Sequence, residues 1–288
     1  MENPQIERFS DAPGFRPYDK RRLSYANTFT SPWKSNTIRV MEWLTGKVTL
    51  LRLIRKFEAS EKVTGQAFFT KALATMGIGL NTPESQIANI PATGPVIVVA
   101  NHPHGLVDGM ILADLIGRVR TDYKILTRSL LTGIEEIAEF MIPVPFQHEE
   151  NALQQSLEMR KQAMDHLAAG GVVVLFPSGA VANAETWFGP AIEKEWHPFT
   201  AKMILKSGAA VVPVYFPGQN SRAYQIAAQI SPTLRQGLLL HEVVHALNRP
   251  QAPVVGAPLA PEVIADWATD PRGFMEWLRE QTLSLRAD

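Results

Sequence analysis

Residues 96–110, VIVVANHPHGLVDGM, begin with an apolar run and continue into a polar, glycine-containing loop. An unbroken apolar run of this length is typical of a strand that is buried on both faces of a sheet. Similar runs at 172–176 (VVVLF) and 209–216 (AAVVPVYF) predict further buried strands, and 124–127 predicts another. Segments with helical periodicity separate them, at about 108–117, 151–169 and 199–207. This alternation predicts an α/β fold with a largely parallel central sheet flanked by helices.

The composition is that of an ordinary globular protein of 288 residues, with 45% apolar and 19% charged side chains. The chain has no cysteine, which excludes disulfide scaffolds, thiolate zinc sites, iron–sulfur clusters and cysteine nucleophiles. Its N-terminal residues lack the apolar core of a signal peptide, and no run of about 18 apolar residues occurs. We therefore expect neither a signal peptide nor a membrane-spanning helix.

The N-terminal part of the chain is strongly basic, although the protein as a whole has no net charge. Residues 16–56 contain ten Lys and Arg against two acidic residues. Helical periodicity over 36–58 predicts a basic amphipathic helix, with an apolar face made of Ile38, Met41, Leu44, Val48, Leu51 and Ile54. Such a helix either lies in a membrane interface or packs on its own domain with a solvated basic face. Because no nucleic-acid motif with stacking aromatics occurs, we expect an anionic membrane surface and no nucleic acid as partner.

The loop after the first buried strand contains two histidines and one aspartate within seven residues: His102, His104 and Asp108. In α/β sheets the functional site lies at the carboxyl ends of the strands. A carboxylate on one imidazole nitrogen fixes the tautomer and supports a proton taken up at the other nitrogen. Without a neighbouring serine or cysteine nucleophile, this pair suits a base that activates a hydroxyl of the substrate. The alternatives are an N-capping Asp108 beside exposed histidines, or a metal site made of the same three residues.

NHPHGLVD (101–108) resembles the His-x(4 or 5)-Asp signature of the glycerolipid (lysophospholipid) acyltransferase superfamily. VVVLFPSGAV (172–181) stands where that superfamily has its Phe-Pro-x-Gly motif. VVPVYFPGQNSRAYQIA (211–227) is similar to a block of the haemolysin-like branch, which includes lyso-ornithine-lipid O-acyltransferases. The resemblance extends over about residues 24–258, and its three ordered blocks make it specific.

The resemblance implies an O-acyltransferase that moves a fatty acyl group from an acyl thioester to the hydroxyl of a lyso-lipid. The donor is an acyl carrier protein or coenzyme A thioester, and neither a metal nor another cofactor is needed. His102 is then the general base and Asp108 its partner, while His104 falls at a variable position and receives no role. The resemblance also implies a set of substrate-binding residues, namely Arg128, Phe176, Pro177, Ser178, Gly179, Asn220 and Arg222.

The second block departs from the superfamily's usual Phe-Pro-Glu-Gly-Thr-Arg. Here Ser178 replaces the glutamate and Val181 stands in the arginine's place. An arginine fork is the natural partner of a phosphate monoester. Its loss weakens the case for lysophosphatidate as acceptor and favours a lyso-lipid with another headgroup, such as an amino-acid-containing one.

The resemblance and the charge pattern together divide the chain at residue 64. We expect 1–64 to be a basic region with a membrane-associating amphipathic helix, and 65–288 to be the acyltransferase domain with a helical C-terminal tail. Such an enzyme would act as a peripheral protein at the cytoplasmic face of the bacterial inner membrane, where both of its substrates are found.

A second motif supports a different hypothesis. Residues 241–245, HEVVH, match the His-Glu-x-x-His pattern of zinc proteases. On a helix the two histidines share one face, Glu242 is placed to activate water, and Glu262 is a candidate third ligand. A zinc metallohydrolase is therefore the alternative function.

Overall fold

The computed structural model describes residues 18, 19, 21, 23–28, 31–127, 134–145 and 151–286. The strands are β1 (Val96–Ala100), β2 (Tyr123–Thr127), β3 (Met141–Pro143), β4 (Val172–Leu175), β5 (Asn183–Ala184), β6 (Ala191–Ile192), β7 (Ala210–Tyr215) and β8 (Val254–Val255). The helices are α1 (Pro32–Glu42), α2 (Val48–Glu58), α3 (Gln66–Thr75), α4 (Glu84–Ile87), α5 (Leu106–Gly117), α6 (Ala152–Ala168), α7 (Pro198–Ser207), α8 (Arg222–Ile230), α9 (Pro232–Gly237), α10 (Leu239–His245), α11 (Pro261–Ala265) and α12 (Pro271–Ser284). A π-helical turn joins α1 to α2 at Trp43–Lys47, and 3₁₀ turns lie at Tyr25–Thr28 and Glu135–Phe140.

The central sheet has the strand order β3-β2-β4-β1-β7-β8. Its first five strands are parallel, and β8 pairs with β7 in the antiparallel sense. β5 and β6 form a separate two-stranded hairpin. The predicted α/β architecture is confirmed, and each predicted buried strand is present within one residue of its predicted ends.

Alternate side chains of the buried strands enter two different cores. Val96 and Val98 of β1 belong to a core on one face of the sheet, together with side chains of α3, α5 and α10. Ile97 and Val99 belong to the core on the other face, together with side chains of α6, α7 and α12. Because both faces are covered, apolar residues are needed at every position, which explains the unbroken apolar runs in the sequence.

The N-terminal helices depart from the predicted amphipathic pattern. Ile38 is buried as a core residue, but Leu44, predicted on the same face, is 81% exposed. Leu44 lies within the π-helical turn, whose wider winding departs from the regular helical periodicity on which the prediction was based. Lys47, one of the basic residues of the predicted amphipathic helix, is not solvated but buried beside Glu42. Burial lowers the pKa of this lysine and raises the pKa of this glutamate.

No helix among the described residues is both long and apolar enough to cross a bilayer.

Candidate active site

Three loops meet at the carboxyl edge of the sheet, because β1 lies between β4 and β7. They comprise residues 101–105, 176–182 and 216–221. The buried side chain of Asn101 ties the first loop to the third. Its Oδ1 accepts from the Phe216 amide at 2.7 Å, and its Nδ2 donates to the Phe216 carbonyl at 2.9 Å. The start of the His102 loop is therefore fixed against the end of β7.

Asp108 is the centre of this loop and is completely buried near the start of α5. Its Oδ2 accepts hydrogen bonds from the backbone amides of His104 (2.8 Å) and Gly105 (3.1 Å). The Nδ1 of His102 donates to Oδ2 at 3.0 Å, and the Nδ1 of His104 donates to Oδ1 at 3.1 Å. Burial opposes ionisation of Asp108, but the two imidazole hydrogen bonds outweigh it and hold the pKa of this carboxyl below its ordinary value.

The ring of His102 is clamped between Asp108 and the second loop. It stacks on Phe176 with ring centroids 3.9 Å apart and planes inclined by 22°. Since Nδ1 carries the hydrogen that is donated to Asp108, the neutral ring has its lone pair on Nε2. The side chain is 17% exposed, so this nitrogen belongs to a ring that solvent and ligand can reach. The arrangement has the chemistry of a base with a fixed tautomer.

The side chain of Glu193 holds the backbone of His102. Its Oε2 accepts from the His102 amide at 3.0 Å, and its Oε1 accepts from Trp196 Nε1 at 3.0 Å. The guanidinium of Arg279 donates to the backbone carbonyl of the same glutamate. Glu193 is buried, and both of its carboxylate oxygens accept hydrogen bonds from these partners. These contacts position the backbone of His102.

The second loop begins with a tight turn at Phe176–Gly179. The Gly179 amide donates to the Phe176 carbonyl at 2.9 Å, and Gly179 has a φ of +62°, a conformation that favours glycine. Ser178 is buried, and its hydroxyl donates to the Ala180 carbonyl at 3.0 Å. The Pro177 carbonyl accepts from the His197 amide at 3.0 Å. This turn presents Phe176 to the ring of His102.

Comparison with known proteins identifies the family. The model of a family described as Acyltransferase matches residues 47–249. The chain belongs to this acyltransferase family. The match begins within the N-terminal region predicted at 1–64, ahead of the predicted boundary, and the division of the chain at that point stays a prediction.

Curated relatives and a solved structure agree with the family. Lyso-glycine lipid O-acyltransferases of Phocaeicola vulgatus and Bacteroides thetaiotaomicron are each 26% identical to the chain over 149 residues. These residues are 51% of this chain and 51% and 52% of the relatives, so the chain spans about half the length of the curated relatives it matches. The crystal structure of the 1-acyl-sn-glycerophosphate (LPA) acyltransferase PlsC of Thermotoga maritima has a similar fold. That likeness has a TM-score of 0.50, covers 90% of this chain and 83% of the other, and has 13% identity.

The remaining predicted binding residues of this family member lie in different surroundings. Asn220 is buried in the third loop, and its Nδ2 has no hydrogen-bond partner among the described residues. Arg222 begins α8, and its guanidinium donates to the Gly189 carbonyl at 2.7 Å. Arg128 lies outside the described residues.

The HEVVH motif lies in α10, and its glutamate takes part in holding the third loop. Both oxygens of the buried Glu242 are used by Ser221, which donates its amide at 2.7 Å and its hydroxyl at 2.6 Å. His241 donates from Nδ1 to the Thr45 carbonyl at 3.2 Å. Within the described ranges, no three His, Asp or Glu side chains are grouped so as to hold a metal ion. The contacts of this motif therefore favour a structural role over the zinc alternative.

The structure adds residues to the site that sequence reasoning missed. His104 was visible in the motif, but its spacing does not reveal that it shares Asp108 with His102. Glu193 had no sequence signal, because its partner is a backbone amide 91 residues away. Glu242 was marked in the sequence by the HEVVH motif, but that motif predicted a zinc site and not a contact with the third loop.

Proposed function

We propose that this protein is an O-acyltransferase that moves a fatty acyl group from an acyl thioester to the hydroxyl of a lyso-lipid in membrane lipid synthesis. The observation that carries the proposal is the hydrogen bond of 3.0 Å between His102 Nδ1 and the buried Asp108. It makes Nε2 of His102 a base at the carboxyl edge of the sheet, in a chain of the acyltransferase family.

The reaction follows from that base. The lyso-lipid hydroxyl gives its proton to His102 Nε2 while its oxygen attacks the thioester carbonyl carbon. The carbonyl π electrons move onto oxygen and form a tetrahedral oxyanion. When the oxyanion collapses, the carbon–sulfur bond breaks, and the departing thiolate takes the proton from His102. Asp108 stabilises the imidazolium that exists between the two proton transfers, and the scheme uses no metal and no acyl-enzyme intermediate.

The substrate-binding roles belong to the same proposal. Phe176, Pro177, Ser178 and Gly179 line the acceptor side of His102, and the stacking of Phe176 on His102 supports this assignment. Asn220 and Arg222 anchor the polar part of the acceptor or of the donor. The buried and unpaired amide nitrogen of Asn220 supports its assignment, since such a group needs an acceptor that a ligand supplies. Arg128 is proposed as a further acceptor-binding cation.

We propose a lyso-aminolipid as the acceptor. Val181 packs beside Gly105, whose Cβ, were one present, would lie 3.4 Å from Val181 Cγ2. Val181 also packs on the apolar cluster of Tyr224, Ala227 and Leu238. The position that holds an arginine in phosphate-binding members of the superfamily is therefore apolar here. The curated relatives named for a lyso-glycine lipid support the same acceptor class.

The experiment is an acyl-transfer assay with a panel of acceptors. The purified protein is incubated with acyl carrier protein thioester or acyl coenzyme A and, separately, lyso-glycine lipid, lyso-ornithine lipid and lysophosphatidate. We expect mass spectrometry to find the acylated aminolipid as the faster product, and the ratio of rates for the two donors identifies the donor. Faster acylation of lysophosphatidate would contradict the acceptor assignment, and no acylation of any lyso-lipid would contradict the activity.

We further propose that the protein acts peripherally on an anionic membrane, at the cytoplasmic face of the bacterial inner membrane. Four large apolar side chains of α1 and the π-helical turn are more than half exposed: Trp33, Val40, Trp43 and Leu44. We call them the N-terminal apolar patch. Lys34 and Arg39 are exposed beside it, and Arg52, Arg55 and Lys56 are exposed on α2. Exposed tryptophans with neighbouring cations suit an anionic lipid interface.

A further inference from the structure

We propose that His104 is a second catalytic residue, whose Nε2–H donates a hydrogen bond to the carbonyl oxygen of the acyl thioester and to the oxyanion formed from it. This inference rests on the proposed acyl transfer. It assigns opposite tasks to the two imidazoles that share Asp108, since His102 takes a proton and His104 offers one.

The first observation is the symmetry of the hydrogen bonds at Asp108. Each carboxylate oxygen accepts from the Nδ1 of one imidazole, at 3.0 Å for His102 and 3.1 Å for His104. A carboxylate accepts hydrogen bonds and donates none, so both Nδ1 atoms carry hydrogen. In each ring the chemistry that remains is at Nε2. A single anion therefore orients two rings by the same atoms.

The second observation is the close approach of the third loop to His104 Nε2. Gly218, in the loop after β7, has a φ of +90°, and a Cβ on it would lie 3.2 Å from His104 Nε2 and 3.5 Å from its Cε1. Only a glycine lets the loop pass this close, because any side chain at position 218 would press on the ring of His104 at Nε2. The His104 side chain is 12% exposed, so its Nε2 is sheltered but not enclosed. A sheltered donor is what stabilisation of an oxyanion requires.

The third observation is the charge around His104. Burial by itself lowers the pKa of His104, but the hydrogen bond to Asp108, its charge and the charge of Glu242 more than compensate and raise it above the ordinary value. The titratable groups facing His104 are Asp108 with His102 from its own loop, and Glu242 and His245 from α10. Asp108 and Glu242 are thus the acidic groups that favour the imidazolium form of His104, whose Nε2 carries the hydrogen that the proposed bond requires.

In the proposed step the acceptor hydroxyl loses its proton to His102 Nε2 and its oxygen bonds to the thioester carbon. The carbonyl π pair becomes a lone pair of the oxyanion, which accepts the hydrogen bond from His104 Nε2–H without taking the proton. On collapse the lone pair reforms the carbonyl bond, the carbon–sulfur bond breaks, and the thiolate is protonated by His102. His104 ends the cycle in the state in which it began it.

The test compares wild-type enzyme with His104→Asn and His104→Gln. Asparagine keeps an amide hydrogen near the Nδ1 position for Asp108 but removes the Nε2 donor, so we expect kcat to fall on the order of 100-fold with little change in KM. Glutamine extends an amide nitrogen towards the Nε2 position and should restore part of kcat. The matched control is His166→Asn, an imidazole bonded to the Asp122 carbonyl at the far end of β2, which should leave kcat unchanged.

The pH dependence separates a catalytic donor from a structural side chain. Because the pKa of His104 is raised, its cation persists below that pKa and is lost as the pH rises through it. We therefore expect wild-type kcat to decline on the alkaline side, and we expect this alkaline limb to disappear in His104→Gln. Histidine ¹⁵N NMR of the wild-type enzyme, which needs no variant to fold, should show His104 protonated to a higher pH than an exposed histidine.

Three results would overturn the inference: kcat of His104→Asn within about twofold of wild type, an alkaline limb that persists in His104→Gln, or an NMR titration of His104 below the ordinary histidine value. If the wild-type enzyme acylates no lyso-lipid, the proposed function is overturned. That outcome is distinct from failure of the role of His104, because it is seen with the wild-type enzyme alone. If the wild-type enzyme transfers the acyl group and the two His104 variants have the same kcat as the wild type, only the role of His104 is overturned.

Discussion

At the scale of single residues, the account depends on how the His102 ring is held. Three contacts hold the ring. Asp108 accepts a hydrogen bond from its Nδ1, Phe176 stacks on it, and Glu193 accepts a hydrogen bond from the backbone amide of His102. Only the contact with Asp108 stabilises the positive charge that the ring acquires during the proposed reaction. The other two determine where Nε2 is, and small displacements of a base cost much of its rate.

Glu193→Gln tests the positioning contact. Glutamine has one acceptor oxygen where glutamate has two, so either the His102 amide or Trp196 loses its acceptor and faces an amide group instead. We expect kcat to fall about tenfold while KM changes little. We also expect the free energy of unfolding to fall by about 1–3 kcal/mol, the cost of a buried donor without a partner. The measurements are steady-state kinetics and urea unfolding.

Glu195→Gln is the control for that variant, because Glu195 lies two residues away and is exposed. It should leave both kinetics and stability unchanged. Equal losses in the two variants, or an unchanged kcat in Glu193→Gln, would contradict the positioning role.

The residue-scale comparison shows which parts of a site a sequence contains. His102 and Asp108 were predictable because a short polar motif directly follows a buried strand, and the topology of α/β sheets assigns meaning to that position. Glu193 was not predictable, because it acts through a backbone amide, which leaves no residue pattern. The sharing of Asp108 by His104 was not predictable either, since it depends on the turn that brings both rings to one carboxylate.

At the scale of elements, the π-helical turn between α1 and α2 packs closely against α10. A Cβ on Gly46 would lie 2.9 Å from the Leu240 carbonyl oxygen and 3.1 Å from the His241 nitrogen. His241 also donates a hydrogen bond to the Thr45 carbonyl in the same turn. The N-terminal helices are thus joined to α10, the helix whose Glu242 holds the third loop of the site.

Gly46→Ala tests this contact. The added methyl group has no room against the backbone of α10, and we expect the free energy of unfolding to fall by about 1–3 kcal/mol, the usual cost of overpacking. Gly79→Ala is the control, because nothing lies within 4 Å of a Cβ there. Urea unfolding that gives Gly46→Ala the stability of Gly79→Ala or of wild type would contradict the close approach.

The strands and the N-terminal helices differ in how well sequence periodicity predicted which of their side chains are buried. The buried strands were predicted well, since burial on both faces requires apolar residues at each position whatever the partners are. The apolar face of 36–58 was predicted less well: Ile38 is buried but Leu44 is 81% exposed. Leu44 lies within the π-helical turn, which packs against α10 and leaves no periodic signal in the sequence.

At the scale of the whole molecule, the exposed apolar side chains lie in more than one layer. The N-terminal apolar patch is on helices that pack against α9 and α10, whereas the exposed Leu153 and Leu157 are on α6, in the layer on the other face of the sheet. The proposed membrane-facing side is therefore distinguishable from the rest of the surface by mutation.

The triple variant Trp33→Ala, Trp43→Ala, Leu44→Ala tests the membrane-facing side. Each substitution removes a large apolar side chain that would enter the lipid interface, and we expect the partition coefficient onto anionic vesicles to fall by about tenfold or more. The control is Leu153→Ala with Leu157→Ala, which should leave vesicle binding unchanged.

Charge reversal at Arg52, Arg55 and Lys56 tests the basic side chains of α2. It should weaken binding to anionic vesicles by about 1 kcal/mol per residue, and this loss of affinity should be smaller at high salt, because salt screens the attraction. Sedimentation with vesicles measures both, and undiminished binding of the triple variant would contradict the proposed orientation.

The central claim is that His102, held by Asp108, removes the proton from a lyso-lipid hydroxyl. The most direct measurement is the single-turnover rate of acyl transfer to a lyso-aminolipid by wild-type protein and by His102→Ala, with folding of both checked by circular dichroism. The account predicts that the variant folds and loses about 10³-fold or more of the transfer rate, within the range expected for loss of a general base. A folded His102→Ala protein that transfers the acyl group within about tenfold of the wild-type rate would contradict it.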